Sequence, residues 1–447
     1  MKAPYIILIA LFYIIFFVAI PPFQLPDEPD HFQYVYWLSK GVYPRLPDKG
    51  GLKVYDKTIQ NIYDIIEVAS NDYNIPNYQK IAKASKGYVP FLTDDKASPV
   101  TYQAHHPPLY HLSALLFFKP AYVISQGNLI ITYYLTKLIS ALYYGLSIFF
   151  AWKVAMLLLK NRNTATYLVM VYAINPVALK MGVSINPDIA SACFSMAILY
   201  VFLKLSKRIH FSLKTIFLLA LLLASSILIK FQNISYLFFV FLFFLMQGMQ
   251  LKKIKEYTKY FLILLFFCCL FISPWLLFSY VVYHALTPSY IAYRFFCTAN
   301  LIAIPWIRIP FEVLFEFRHA FFHFAGFLGW GEPYPFKPFF IVYALGFILA
   351  LIFGIKKVIQ EKDKSWYFIL IHAASICLFF LGVSITYKIN RYSCDVQGRY
   401  LLSALFPFIL LAWKGSNKEH IARYLFFFSI WQYLFILCYV LIPRYYV

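Results

Sequence analysis

Charge is what this chain has least of. Only 13% of its 447 residues are Asp, Glu, Lys or Arg, against about a quarter in soluble domains. A surface that poor in charge cannot keep a chain of this length in water, so an ordinary soluble domain is excluded. Acids are scarcer than bases, 19 against 40, for a formal net charge of +21. In a soluble protein that balance would suggest nucleic acid. Here short loops rich in Lys and Arg explain it, so no nucleic-acid partner is expected. Cysteine is also scarce: seven residues, none at metal-ligand spacing. Cys193, Cys268, Cys269, Cys377 and Cys438 fall in apolar runs and pack there. Cys297 and Cys394 lie in loops on one face, where pairing and free thiols both stay open. No small-x-small cleavage site follows the first apolar run; Pro21-Pro22 does. The run to Ile20 therefore reads as a retained span and not as a signal peptide. Internal repeats and low-complexity segments are absent.

What is present is apolar: 62% hydrophobic and 21% aromatic residues. A spanning helix needs about 20 apolar residues. Eleven stretches qualify: 4–20, 129–158, 164–182, 188–206, 212–230, 233–250, 260–283, 338–355, 366–387, 399–413 and 422–442. A further apolar segment, 109–127, opens with His105-His106-Pro107-Pro108 and contains His111 and Lys119. If it lies in the interface without crossing, and the N-terminus is cytoplasmic, every compact Lys/Arg cluster falls inside. The expected fold class is an all-α polytopic membrane protein. It is one domain over 1–447, with about 11 transmembrane helices, a re-entrant or interfacial helix and long outer loops. Those loops are 21–108 (a partly helical subdomain), 284–337 and 387–398. Fifteen of the nineteen acids and seven of the ten histidines then gather on the outer face, and no acid lies well inside a span.

The outer loops hold the groups that can carry chemistry. Asp27 and Glu28 follow the first span directly, stiffened by Pro26 and Pro29. They are candidates for a general base or metal ligand, or for caps on a helix over His31–Ser39. His31 lies beside them. His105 and His106 precede an interfacial helix whose N-terminus suits anions; they can donate to a phosphate, bind a metal, or simply sit among aromatics. Asp188 begins a span and is either its N-cap or a site acid. Lys230 either snorkels or reaches a phosphate. Lys137, deeper in its span, is expected to face a cavity. Glu316, His319 and His323 share a stretch in which the two histidines are i, i+4, a spacing that can hold a divalent metal. Gln397 and Arg399 flank Gly398, where a guanidinium can fork onto phosphate oxygens and the backbone can come close.

The order of these pieces resembles the GT-C glycosyltransferases, including the protein O-mannosyltransferases and the aminoarabinose transferases of lipid A. More closely, PDEPDHFQY (26–34), HHPPLY (105–110), NPD (186–188), FLGWGEPYP (327–335) and VQGRYLLSALFP (396–407) are similar to a bacterial membrane family of that clan, domain of unknown function 2142. The resemblance runs through nearly the whole chain. It implies sugar transfer from a polyprenyl-phosphate donor, with Asp27 in the place of the catalytic carboxylate. His105-His106 stand where relatives place a Glu-Lys pair, a departure that bears on both metal use and the phosphate contact. His106, Arg399 and Lys230 would hold the phosphate, with His31, Asp188 and Trp330 near the acceptor or behind the first contacts. The implied setting is a bacterial inner membrane with the active face periplasmic, and the implied partners are membrane lipid and an acceptor of glycan, lipid or protein. A flippase for lipid-linked saccharide and a non-catalytic partner in envelope polysaccharide assembly are the alternatives. A flippase usually shows mid-depth ionisable groups and paired repeats; the sequence shows no buried acid and no repeat.

Overall fold

No water reaches the N–H and C=O groups of a chain inside hydrocarbon, so so apolar a sequence must satisfy its backbone internally. It does so with helices. The computed structural model describes residues 1–46, 99–288, 305–315, 337–389 and 398–443, with 57, 60, 61, 64 and 91. Among the described residues there are fifteen α-helices and no strand. They are α1 (Ala3–Ala19), α2 (Glu28–Ser39), α3 (Leu109–Ile124), α4 (Leu129–Thr136), α5 (Leu138–Leu158), α6 (Arg162–Ala173), α7 (Pro176–Gly182), α8 (Pro187–Leu205), α9 (Leu213–Ile229), α10 (Ser235–Gln250), α11 (Ile254–Tyr283), α12 (Lys337–Glu361), α13 (Lys364–Ile389), α14 (Leu402–Ser416) and α15 (Glu419–Ile436). The all-α membrane class is as expected, and all eleven expected spans are largely helical. Six runs are long and apolar enough to cross a membrane: 129–158, 187–205, 231–250, 254–283, 364–389 and 419–441. Helices α1, α3 and α9 are apolar but shorter.

The expected span 164–182 is broken. Pro176 has no N–H to continue the ladder, and the Asn175 side chain accepts from Val177 N at 3.0 Å, so α7 starts afresh. Helices α7, α8 and α14 are buried almost all round. They form the centre of the bundle, since a helix apolar on every face is a core helix. Around them, α1, α3, α11, α12 and α15 expose large apolar side chains such as Ile7, Leu116, Leu270, Leu349 and Phe427, a girdle suited to lipid.

Five basic loops converge at one end of the bundle. Asn161 donates to Glu419, Lys364 to the Ser206 carbonyl and to Gln247, and Lys414 pairs with Glu361 at 2.6 Å. Segment 21–27 and the starts of α8 and α14 meet at the other end. There Arg45 N donates to Pro99 O at 2.8 Å and Thr101 N to Arg45 O at 2.9 Å, so the chain leaves at residue 46 and returns at 99 beside its own exit. Thr101 Oγ1 donates to Asp30 O and Gln33 to Val100 O, which pins the His105-His106 segment to α2. Most of the subdomain expected over 52–96 and most of loop 284–337 lie outside the described residues, as do Cys297 and Cys394; Phe91 packs against Tyr36 of α2 and Phe118 of α3.

Helices α12 and α14 approach through Gly354 and Gly415. A Cβ on Gly354 would lie 1.7 Å from the Leu411 carbonyl oxygen, whereas one on Gly346 would meet nothing within 4 Å. Small residues let membrane helices approach this closely. Gly354→Ala is expected to cost at least the ~1–3 kcal/mol of an overpacked core, read as a fall in melting temperature in detergent. Gly346→Ala is expected to leave that temperature unchanged or slightly raised.

Candidate active site

The turn from α1 into α2 carries two non-glycine residues at positive φ, Phe23 at 61° and Asp27 at 60°. Asp tolerates the left-handed region; Phe does not, and such backbone costs about 1–3 kcal/mol and persists only where its surroundings impose it. Phe23 N donates to Tyr133 Oη at 3.3 Å and the Phe23 ring packs edge-on against Tyr133. Asp27 takes the N-cap position of α2, accepting His31 N on its carbonyl at 3.0 Å, but its carboxylate caps nothing.

That carboxylate is instead paired with Arg399. Arg399 also donates from Nη1 to the Pro26 carbonyl at 3.2 Å, and its Nε lies 3.5 Å from Asp188 Oδ2. Asp188 in turn pairs with Lys230 through Oδ1. Asp27, Arg399, Asp188 and Lys230 thus form a chain of alternating charge across four segments. Three of the side chains are at most 6% exposed; Asp27, at 17%, is the accessible end. Asp188 is not the cap of α8. Asn186 is, accepting Asp188 N at 2.9 Å, which leaves the Asp188 carboxylate free for its two cations. Lys230 does not snorkel: it is buried, 4.3 Å from the centre of the Tyr400 ring.

Glu28 faces another way. It is fully buried, and Oε1 accepts Ile185 N at 3.0 Å, tying the start of α2 to the loop before α8. Burial raises its pKa above the usual carboxylate range, offset in part by the Lys137 charge. Lys137 lies within about 5 Å of the Phe17, Tyr133 and Tyr134 ring centres. It faces an aromatic cage and the Glu28 charge, in place of the cavity expected from sequence.

Four histidines stack beside the charge chain. His31 Nδ1 is 3.0 Å from His111 Nε2, and the His105 and His106 ring centres are 4.0 Å apart. His105 Nδ1 donates to Tyr102 O at 2.7 Å. Burial pulls His105 down to about 4, opposed by Asp27 and reinforced by Lys230. Burial, neighbouring histidines and Lys230 hold His31 and His106 well below their usual range. These imidazoles are neutral at pH 7, so the cations beside the carboxylates are Arg399 and Lys230. Among the described residues no three His, Cys, Asp or Glu side chains are arranged to hold a metal ion.

A cavity of about 570 Å³ adjoins this cluster. Its polar end is His106, Lys230 and Tyr400, and its walls include Phe379, Phe380 and Val383 of α13. Glu316, His319, His323, Trp330 and Gln397 lie outside the described residues. The structure therefore brings together Asp27, Asp188, Lys230, Arg399 and the three predicted histidines. Sequence reasoning missed Lys180, buried in α7 where it feels the Arg399 charge, and Tyr400, which lies under both cations. It also missed the hydroxyls one and two turns further along α8: Ser191 donates to Asn233 at 2.6 Å, and Ser195 to Ser403 O at 2.7 Å while 3.3 Å from His372. The i, i+3 spacing of Asp188, Ser191 and Lys230, Asn233 was the readable signal.

The profile of a family described as "Predicted membrane protein (DUF2142)" matches residues 10–412, a range that contains the whole charge chain. The chain belongs to that family. No curated protein matches this DUF2142 chain. Among solved structures it is similar to the apo crystal structure of ArnT from Cupriavidus metallidurans, at 10% identity and a TM-score of 0.40, covering 94% of this chain and 78% of that one. An overlap that loose assigns no residue correspondences.

Neutral burial of histidine has a signed consequence. An unfolded histidine binds its proton near pH 6.5, while His105 in the folded state waits until about 4. Stability is therefore fully present above ~6.5 and drains away as pH falls toward 4, by about 1.4 kcal/mol per pH unit per histidine. His31 and His106 add in the same direction. Melting temperature measured from pH 7 to 4.5 is expected to fall steeply, and His105→Gln to flatten the profile. A flat wild-type profile would contradict neutral burial.

Proposed function

We propose that this DUF2142 protein is a GT-C-type inverting glycosyltransferase that moves a sugar from a polyprenyl-phosphate donor to an acceptor hydroxyl. The observation that carries the reading is the accessible Asp27 carboxylate. It is held on a strained turn and linked through buried Arg399, Asp188 and Lys230 to an apolar cavity with a cationic end. A lipid phosphate asks for that combination: apolar walls for the first prenyl units, and Lys230, Arg399 and the neutral His106 as donors to phosphate oxygens. Asp27 takes the proton of the acceptor hydroxyl as its oxygen bonds to the anomeric carbon. The carbon–oxygen bond to phosphate breaks with its electron pair, and polyprenyl phosphate leaves without needing a proton. One base therefore suffices, in contrast to the carboxylate pair of glycosidases. Glu28 is a positioning residue in this scheme, holding the loop that carries Asp188. We place the protein in a bacterial inner membrane with this site on the periplasmic face, because the basic loops gather at the opposite end.

The buried Asp188, with its two cations, supports a second reading. It supplies a buried acid where the sequence placed one only at the outer end of a span, which suits a carrier of lipid-linked saccharide.

Purified protein given radiolabelled polyprenyl-phosphate sugars is expected to release polyprenyl phosphate. Asp27→Asn is expected to lose about 10²–10⁴-fold in rate while still binding donor. Full release by Asp27→Asn would remove the base from the mechanism. Saccharide movement across vesicles without release would favour the carrier.

A further inference from the structure

Away from Asp27, α14 forms the floor of a second cavity, of about 920 Å³. Three helices turn one face toward it: Gly346, Ala350 and Lys357 on α12, Ile409 and Ala412 on α14, and Leu425 on α15. The spacings are helical, so each helix contributes a continuous stripe. Helix α12 packs on α14, and α15 packs on α6; α12 and α15 hardly touch each other. The result is a furrow between two helices whose outer faces are apolar and exposed, Leu349 and Ile352 on one side and Phe427 and Trp431 on the other. Those faces belong to the exposed apolar girdle. From Gly346 to Lys357 the furrow runs about 16 Å at 1.5 Å per residue, close to the ~15 Å depth of one leaflet's hydrocarbon.

The furrow ends in charge. Lys356 and Lys357 lie at its rim, and neither has a carboxylate partner among the described residues. Lys414 on α14 differs, being held by Glu361. Glu361 lines the same end but is taken by Lys414, so an apolar trough about one leaflet deep that ends in two further cations matches one kind of occupant. We propose that it binds a single anionic phospholipid, one acyl chain lying along α12, α14 and α15 and the phosphate between Lys356 and Lys357. Basic pockets between membrane helices recognise acidic headgroups in this way. A second copy of the chain would cover the apolar walls but bury both lysines without a counter-charge. The inference is independent of the reaction assigned to Asp27.

The test is native mass spectrometry of the full chain released from nanodiscs of equal phosphatidylglycerol and phosphatidylcholine. Wild type is expected to carry one phosphatidylglycerol per chain, in about tenfold preference or more over phosphatidylcholine. The double variant Lys356→Gln/Lys357→Gln is expected to bring that preference to about one. Gly346→Leu projects a side chain into open space and is expected to lower retention of both lipids several-fold. Absence of preference in wild type, preference that survives loss of both lysines, retention unchanged by Gly346→Leu, or a chain dimer in place of bound lipid would each overturn the proposal.

Discussion

Arg399 is the pin of this structure. A guanidinium stays charged in any environment a protein offers, and here it is buried between Asp27 and Asp188. Dry carboxylates need a cation, and a dry cation needs carboxylates, so four segments far apart in sequence have to meet. Such a chain adds little net stability, because desolvation offsets most of the attraction. Removing one member is another matter: it strands a buried charge at a cost of about 3–5 kcal/mol. The constraint therefore acts on register. It fixes how far α8 and α14 slide relative to the strained turn after α1, and it leaves one carboxylate facing outward at the end of the chain.

The histidines answer to the same electrostatics. Out of water and packed beside Lys230, they give up their protons. Neutral imidazoles can stack face to face, as His31 does on His106 and His111, where charged ones would repel. The site thus separates its roles: Arg399 and Lys230 are the cations beside the carboxylates, and the histidines supply directional N–H groups and shape.

Much of the helical plan was legible, because long apolar runs admit few alternatives in lipid. The misreadings were local. The Asn175-Pro176 break hid between apolar flanks, although Asn before Pro is itself a start signal for a helix. The same signal at Asn186-Pro187 moved the cap of α8 two residues ahead of Asp188. For the site, sequence named Asp27, Asp188, Lys230 and Arg399 but could not pair them, since pairing depends on which helix ends meet. Nor could it separate Asp27 from Glu28. Adjacent acids look alike until the left-handed turn sends one toward Arg399 and the other into the packing around Lys137. Lys137 itself had its cage written four and three positions earlier, in Tyr133 and Tyr134.

The clasp between Arg45 and Val100 closes the intervening stretch on itself. Its two ends meet at the membrane body, Phe91 packs back on Tyr36 of α2 and Phe118 of α3, and the segments bearing Asp30 and His105 are tied to each other directly. Because the clasp already brings the two ends together, lengthening the stretch between them carries only a slowly growing entropic cost. An insertion between the clasped ends would therefore leave the pairing of α2 with the His105 segment in place.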